Sequence, residues 1–210
     1  MGFIEAQDLV LFQGDSITDT GRDRVNPHSL GRGYANLVAS WFQALYPEKE
    51  VQFLNRGISG DRVVNLEARW DEDCVQLQPD VLSIMIGIND CWRRFDRNDP
   101  TTTEDFAAGF HRLLTRVRQE TSARLILLEP FLVPVKPELQ AWREDLDPKI
   151  QVGRELAREF HALYVPLDGL FAQACCRQQP SYWAPDGVHP SYGGHGLIAQ
   201  AWLSTIGAEL

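Results

Sequence analysis

Long apolar runs are missing from this 210-residue sequence. None approaches the roughly 18 residues that a membrane-spanning helix needs. Positive charge is scarce, with 20 Lys and Arg against 29 Asp and Glu and a formal net charge of −9. That balance argues against nucleic acid or an anionic membrane as the main partner and suits a neutral substrate. Cysteine is limited to Cys74, Cys91, Cys175 and Cys176, with no Cys-x-x-Cys pair, so no zinc site is expected. Adjacent Cys175 and Cys176 do not make an ordinary disulfide framework, and free thiols in a reducing compartment are the simplest reading. The segment Met1 to Asp8 is short and acidic and lacks the basic start and apolar core of a signal peptide. A soluble, cytoplasmic protein is the expectation. Repeats, low-complexity tracts and linkers are also missing. The length suits one domain over residues 1–210, large enough to bury about 70% of its unfolded surface.

What remains is ordinary globular composition, 44% hydrophobic and 23% charged, in which short apolar runs alternate with amphipathic stretches. Strands are predicted at Leu9 to Phe12, Val51 to Leu54, Val81 to Ile86, Leu125 to Leu128 and Leu163 to Val165. The third is continuously apolar, as a strand covered on both faces should be. Helices are predicted at Gly33 to Leu45, Val63 to Leu77, Thr103 to Glu120 and His195 to Ile206. Thr102 with Asp105 marks the start of the third as a variant of the capping box. Glu138 to Phe160 is helical in pattern, with Pro148 expected to break or bend it. The alternation implies an α/β fold, a three-layer sandwich with a mainly parallel five-stranded sheet and helices on both faces. The proline-rich segment Pro130 to Pro137 reads equally as a rigid surface loop and as a wall over a site.

In an open parallel sheet, ligands bind beyond the carboxyl ends of the strands. Gly14-Asp15-Ser16 follows the first strand, Gly57 to Asp61 the second, and Gly87 to Asp90 the third, so all three lie on one edge. Ser16 is the candidate nucleophile, a hydroxyl that needs a base to take its proton. Its ordinary structural role would be a helix cap. Gly60, through its backbone N–H, and Asn89, through its side-chain amide, are candidate oxyanion donors, with the Ser16 N–H as a third. A turn at Gly60 and an Asx turn at Asn89 are the structural alternatives. Asp186 and His189, three apart in one loop, suit an orienting acid and a general base, with Nδ1 toward the acid and Nε2 free for Ser16. A solvated turn with a surface histidine is the alternative.

Other candidates compete. His111 and His161 fall in helices away from that edge, His28 lies in a polar loop, and His195 opens the last helix near the site as a packing or capping residue. Cys91 follows Asn89 closely, but no turn presents it as a nucleophile. Asp15, Asp61 and Asp90 invite a carboxylate metal cluster, yet each also suits a turn or cap. No metal and no cofactor are expected.

Ser16, Gly60, Asn89 and His189, in Gly-Asp-Ser, Gly-Ile-Ser-Gly-Asp, Gly-Ile-Asn-Asp and Asp-Gly-Val-His, resemble in order the four blocks of the SGNH, or GDSL, hydrolases. Asp186 matches that family's triad acid, and the resemblance covers about Leu9 to His195. It implies the flavodoxin-like SGNH fold and ester hydrolysis through an acyl-enzyme. Gly-Asp-Ser-Ile-Thr-Asp (14–19), Ala68-Arg69-Trp70, Ile-Met-Ile-Gly-Ile-Asn-Asp (84–90), Trp92-Arg93 and Val188-His189-Pro190 are similar to the bacterial acetylxylan esterase branch. That branch implies removal of acetyl groups from xylan fragments inside the cell by a homo-oligomer. One departure is Pro185, where the branch tends to place tryptophan before the aspartate. Trp92, Arg93, Tyr182 and Trp183 flank the catalytic segments and are the candidate sugar-binding residues, with core or subunit packing as the alternative for the tryptophans. Two other functions remain open. One is a thioesterase or lysophospholipase, its acyl groove supplied by Phe131, Leu132, Val133 and Val135. The other is a non-catalytic carbohydrate-binding protein.

Overall fold

A computed structural model describes residues 2–208. Its sheet has five strands: β1 (Leu9–Gly14), β2 (Gln52–Asn55), β3 (Val81–Met85), β4 (Arg124–Leu128) and β5 (Leu163–Val165). All pairings are parallel, in the order β2-β1-β3-β4-β5. The chain runs from β1 outward to β2 and then returns to β3 on the other side of β1. The crevice where this order reverses opens beyond the carboxyl ends of β1 and β3, in the flavodoxin-like arrangement.

Nine α-helices complete the described residues: α1 (Ser16–Asp19), α2 (Tyr34–Leu45), α3 (Val63–Asp73), α4 (Ile88–Arg97), α5 (Thr103–Glu120), α6 (Arg143–Glu159), α7 (Leu167–Cys175), α8 (Pro180–Trp183) and α9 (Tyr192–Thr205). Val10 and Phe12 of β1 and Val81 and Met85 of β3 join a core with α2 and α9, while Leu11, Leu82 and Ile84 join another with α3 and α5. The period of two therefore delivers apolar side chains to both faces, which is why these strands read as continuous apolar runs. Phe12 anchors the first core, edge-on to Tyr34 at 5.8 Å and stacked on Phe53 at 6.2 Å. No helix of the described residues is long and apolar enough to cross a membrane.

The helices depart from expectation in specific places. Val63 to Leu77 divides at Cys74 into α3 and a short 3-10 turn. Pro148 does not end its helix: the break falls earlier, where a 3-10 turn (Pro137–Trp142) passes into α6. Next to the proline, the fully buried Lys149 bonds the Asp145 carboxylate at 2.6 Å, bracing that turn across the lost backbone bond. The last helix begins at Tyr192, where Ser191 Oγ accepts the Gly194 N–H. The Thr102 cap is present, its Oγ1 accepting the Asp105 N–H at 3.0 Å. Helices α4, α7 and α8 have no counterpart among the sequence-based expectations.

The segment 130–137 runs inward at its start and is exposed at Lys136 and Pro137. Phe131, Leu132 and Val133 are buried, and Phe131 stacks on Phe171 at 4.0 Å. Val133 N–H donates to the Gly187 carbonyl at 2.8 Å, so the segment backs the loop that carries Asp186 and His189.

Candidate active site

β1 ends at Gly14, where a Cβ would lie 2.4 Å from the Met85 carbonyl oxygen. Only glycine lets the chain turn there beside β3. Asp15 then caps α1, its Oδ1 accepting the Ile17 N–H at 3.0 Å, and Ser16 is the first residue of that helix. Ser16 Oγ lies 2.9 Å from His189 Nε2, and His189 Nδ1 lies 2.6 Å from Asp186 Oδ2. The other Asp186 oxygen accepts the N–H groups of Val188 at 2.9 Å and His189 at 2.7 Å. Partial burial works against the Asp186 charge, but the His189 side-chain bond and these backbone bonds outweigh it and hold its pKa at about 2. The Asp186 bond raises the His189 pKa above the ordinary value against the opposing effect of burial. With Nδ1–H given to a carboxylate, neutral His189 presents Nε2 as an acceptor to the Ser16 hydroxyl.

The other candidate donors lie on the segments that follow β2 and β3. Residues 57–61 are pinned over the end of β1: Ile58 N–H donates to Gly14 O at 3.0 Å, and Ser59 N–H to Asp19 Oδ2 at 3.0 Å. Arg69 holds Asp61 at 2.8 Å and Gln13 Oε1 at 3.0 Å. Gly60 has φ +90°, and a Cβ there would meet nothing within 4 Å, so glycine is required by the backbone conformation and not by crowding. Among the described residues neither the Ser16 nor the Gly60 N–H donates to a protein acceptor. Asn89 sits in the first turn of α4 and is 2% exposed. One amide N–H donates to the Asp61 carbonyl at 3.1 Å, and Oδ1 accepts from Arg93 Nη2 at 2.9 Å. The second amide N–H remains for another acceptor. Such a set can move a proton from serine to imidazole and hydrogen-bond a developing oxyanion.

The three aspartates of this edge go separate ways. Asp15 caps α1, Asp61 pairs with Arg69, and Asp90 accepts the Val63 N–H at 3.2 Å. Among the described residues no group of three or more His, Cys, Asp and Glu is placed to hold a metal ion. Burial pushes Asp15 up to about 7 and Asp90 up to about 6, and Asp15 Oδ2 has no hydrogen-bond partner. Cys91 is buried and raised to about 12 by that burial, with Sγ against the Trp142 carbonyl at 3.5 Å, so it is no thiolate nucleophile.

The other histidines also have defined places. His28 is exposed, and His111 is an exposed residue of α5 that bonds Glu159 at 3.0 Å. His161 lies in a turn just past α6 at φ +52° rather than in a helix. His195 is buried in α9, its Nδ1 accepting the Tyr34 N–H at 3.2 Å, and burial pulls its pKa down to about 4.

Of the candidate substrate residues, Trp92 stands beside the site, with its ring 5.8 Å from His189 and 5.5 Å from Trp142. Arg93 turns to Asn89 and to Asp96, and its guanidinium lies 5.2 Å over the Trp92 ring. Tyr182 and Trp183 pair edge-on at 5.0 Å on α8, and the Trp183 indole N–H is taken by the Ala174 carbonyl at 3.1 Å. The grip of Arg93 on Asn89 escapes sequence reading. Its signal is the four-residue spacing, visible once 88–97 is known to be helical.

Three comparisons bear on this geometry. The family model described as GDSL-like Lipase/Acylhydrolase family matches residues 12–197. The acetylxylan esterase of Geobacillus stearothermophilus is 36% identical, over 98% of this chain and 97% of its own. A crystal structure of that enzyme superposes with a TM-score of 0.91, covering 98% of this chain and 97% of that one. A protein from Parabacteroides merdae described as a GDSL-like lipase superposes with a TM-score of 0.95 at 34% identity, covering 98% of each chain.

Proposed function

The chain belongs to the GDSL-like lipase/acylhydrolase family, and on that ground we propose that it is a serine esterase removing acetyl groups from xylo-oligosaccharides. The observation that carries the chemistry is the unbroken hydrogen-bond chain from Ser16 through His189 to Asp186, at 2.9 and 2.6 Å, beside three unspent N–H donors. His189 Nε2 takes the Ser16 proton as Oγ attacks the ester carbonyl. The oxyanion is received by the N–H groups of Ser16 and Gly60 and the free Asn89 amide hydrogen. The carbon–oxygen bond to the alcohol then breaks, and His189 returns the proton to the departing sugar oxygen. Water, deprotonated by His189, hydrolyses the acetyl-Ser16 ester and regenerates the hydroxyl.

The sugar assignment is supported by the acetylxylan esterase of Geobacillus stearothermophilus and by the aromatic ring of Trp92 5.8 Å from that of His189. Of the residues suggested for an acyl groove, Phe131 is fully buried and stacked on Phe171, which favours the acetyl reading over a long acyl chain. A cytoplasmic location and homo-oligomeric assembly belong to the same proposal, and cell fractionation and sedimentation of the native protein check them.

The experiment is turnover of acetylated xylo-oligosaccharides and of p-nitrophenyl esters of increasing chain length by the native protein and by Ser16→Ala. We expect a loss on the order of 10⁶ in Ser16→Ala, as for triad serines elsewhere, and a sharp fall beyond acetate in the native protein. Undiminished acetate hydrolysis by Ser16→Ala would refute the mechanism. Equal rates on long acyl chains would refute the substrate.

A further inference from the structure

Arg93 flanks the proposed catalytic segments in sequence, which suggests a contact with substrate, but its polar atoms point elsewhere. It lies one turn after Asn89 on α4, and Nη2 donates to Asn89 Oδ1 at 2.9 Å. Another guanidinium nitrogen is held by Asp96, and the Arg93 side chain is only 14% exposed. On its other side, the Asn89 amide nitrogen donates to the Asp61 carbonyl at 3.1 Å.

An amide has two nearly isosteric ends, and its orientation is fixed only by what each end meets. Here the two neighbours demand opposite things. The guanidinium has only donors to offer and requires an acceptor, while the Asp61 carbonyl requires a donor. Rotating the amide by half a turn would set NH2 against NH2 and oxygen against oxygen, losing both bonds inside a buried site. The orientation that satisfies both also leaves one N–H over for the reaction. A cation on Oδ1 further polarises the amide and strengthens that N–H as a donor.

We propose that Arg93 is the positioning residue of the oxyanion site, acting through Asn89 rather than on the substrate. This rests on the reading of Asn89 as an oxyanion donor. Asp96 and the Trp92 ring brace the guanidinium in turn, so one helical turn of α4 carries the donor and the group that aims it.

A double-mutant cycle tests this with Asn89→Ala, Arg93→Met and the combined variant, read as kcat and KM for p-nitrophenyl acetate, with thermal melts to check folding. Asn89→Ala is expected to lower kcat by about 10²–10³. Arg93→Met should lower kcat by roughly tenfold, within the span of coupling between contacting residues, with KM within a factor of about two, as for an interaction made only in the transition state. In the Asn89→Ala background the arginine change should cost nothing further. Should Arg93→Met not fold, Arg93→Lys replaces it: it keeps the charge and stem but cannot span Asn89 and Asp96, and the same coupled loss in kcat is expected.

The outcomes separate the two readings. An Asn89→Ala enzyme with native kcat refutes the oxyanion assignment itself. A slow Asn89→Ala enzyme with a native-like or fully additive Arg93 variant overturns only the positioning role. A rise in KM at constant kcat on Arg93→Met would make Arg93 a substrate contact and would equally overturn it.

Discussion

A serine hydroxyl, an imidazole and a carboxylate are each ordinary, and the energetics of this site come from what surrounds them. The base must be neutral to take a proton, so kcat/KM should climb with pH through the raised pKa of His189. Asp186→Asn removes the carboxylate whose hydrogen bond, with its charge, raises it. We expect the acidic limb of the profile to move down toward the ordinary histidine value near 6.5, with turnover falling by on the order of 10⁴ as tautomer control is lost. An unmoved limb would assign the titration to another group. The Ser16–His189–Asp186 contact is legible in the amino-acid sequence alone, because all three residues, like Gly60 and Asn89, stand at turns that follow strands or flank glycine and proline. The Arg93–Asn89 contact and the surroundings of the buried carboxylates are not, because what each side chain meets is set by tertiary packing.

The same division holds for elements. The strands show themselves because burial on both faces leaves mostly apolar residues, as in Val81–Met85. Helix α4 hides because its buried first turn contains Asn89, Asp90 and Cys91, and polar residues after a strand read as a loop. Pro148 does not break α6, and the Lys149–Asp145 pair lies beside it. That pair is the element's weak point. Asp145 also receives Arg94 at 3.3 Å, and its removal leaves Lys149 charged and fully buried. Asp145→Ala should therefore cost roughly 3–5 kcal/mol, measured by urea unfolding, and adding Lys149→Met should recover much of it. An Asp145→Ala loss within the error of the measurement would show that the pair is not what carries α6 past the proline.

For the molecule as a whole, buried ionisable groups make stability depend on pH in opposing ways. Asp15 has a folded pKa of about 7, above the ordinary 3.9 or so of an unfolded aspartate. Its protonated form favours the fold, a contribution complete below about pH 4 and lost as pH rises through about 7. His195, held down at about 4, acts in reverse, losing stability as pH falls from about 6.5. Asp15→Asn keeps an oxygen for the Ile17 N–H but cannot titrate. The melting temperature of the native protein should drop relative to Asp15→Asn between about pH 4 and 7, and a constant difference would contradict it. The loop 186–189 has a different consequence. Acid and base are spelled in one short stretch and bonded to each other within it, whereas the nucleophile is seated at a strand end far upstream. Insertions or deletions between β4 and α8 would leave that couple intact, provided the stretch still lands against Ser16. Among the described residues the only hydrogen bond between that loop and the strand-end serine joins His189 to Ser16, so on the proposed mechanism the position of the loop as a whole, rather than the pairing inside it, is what a change in the intervening chain would disturb.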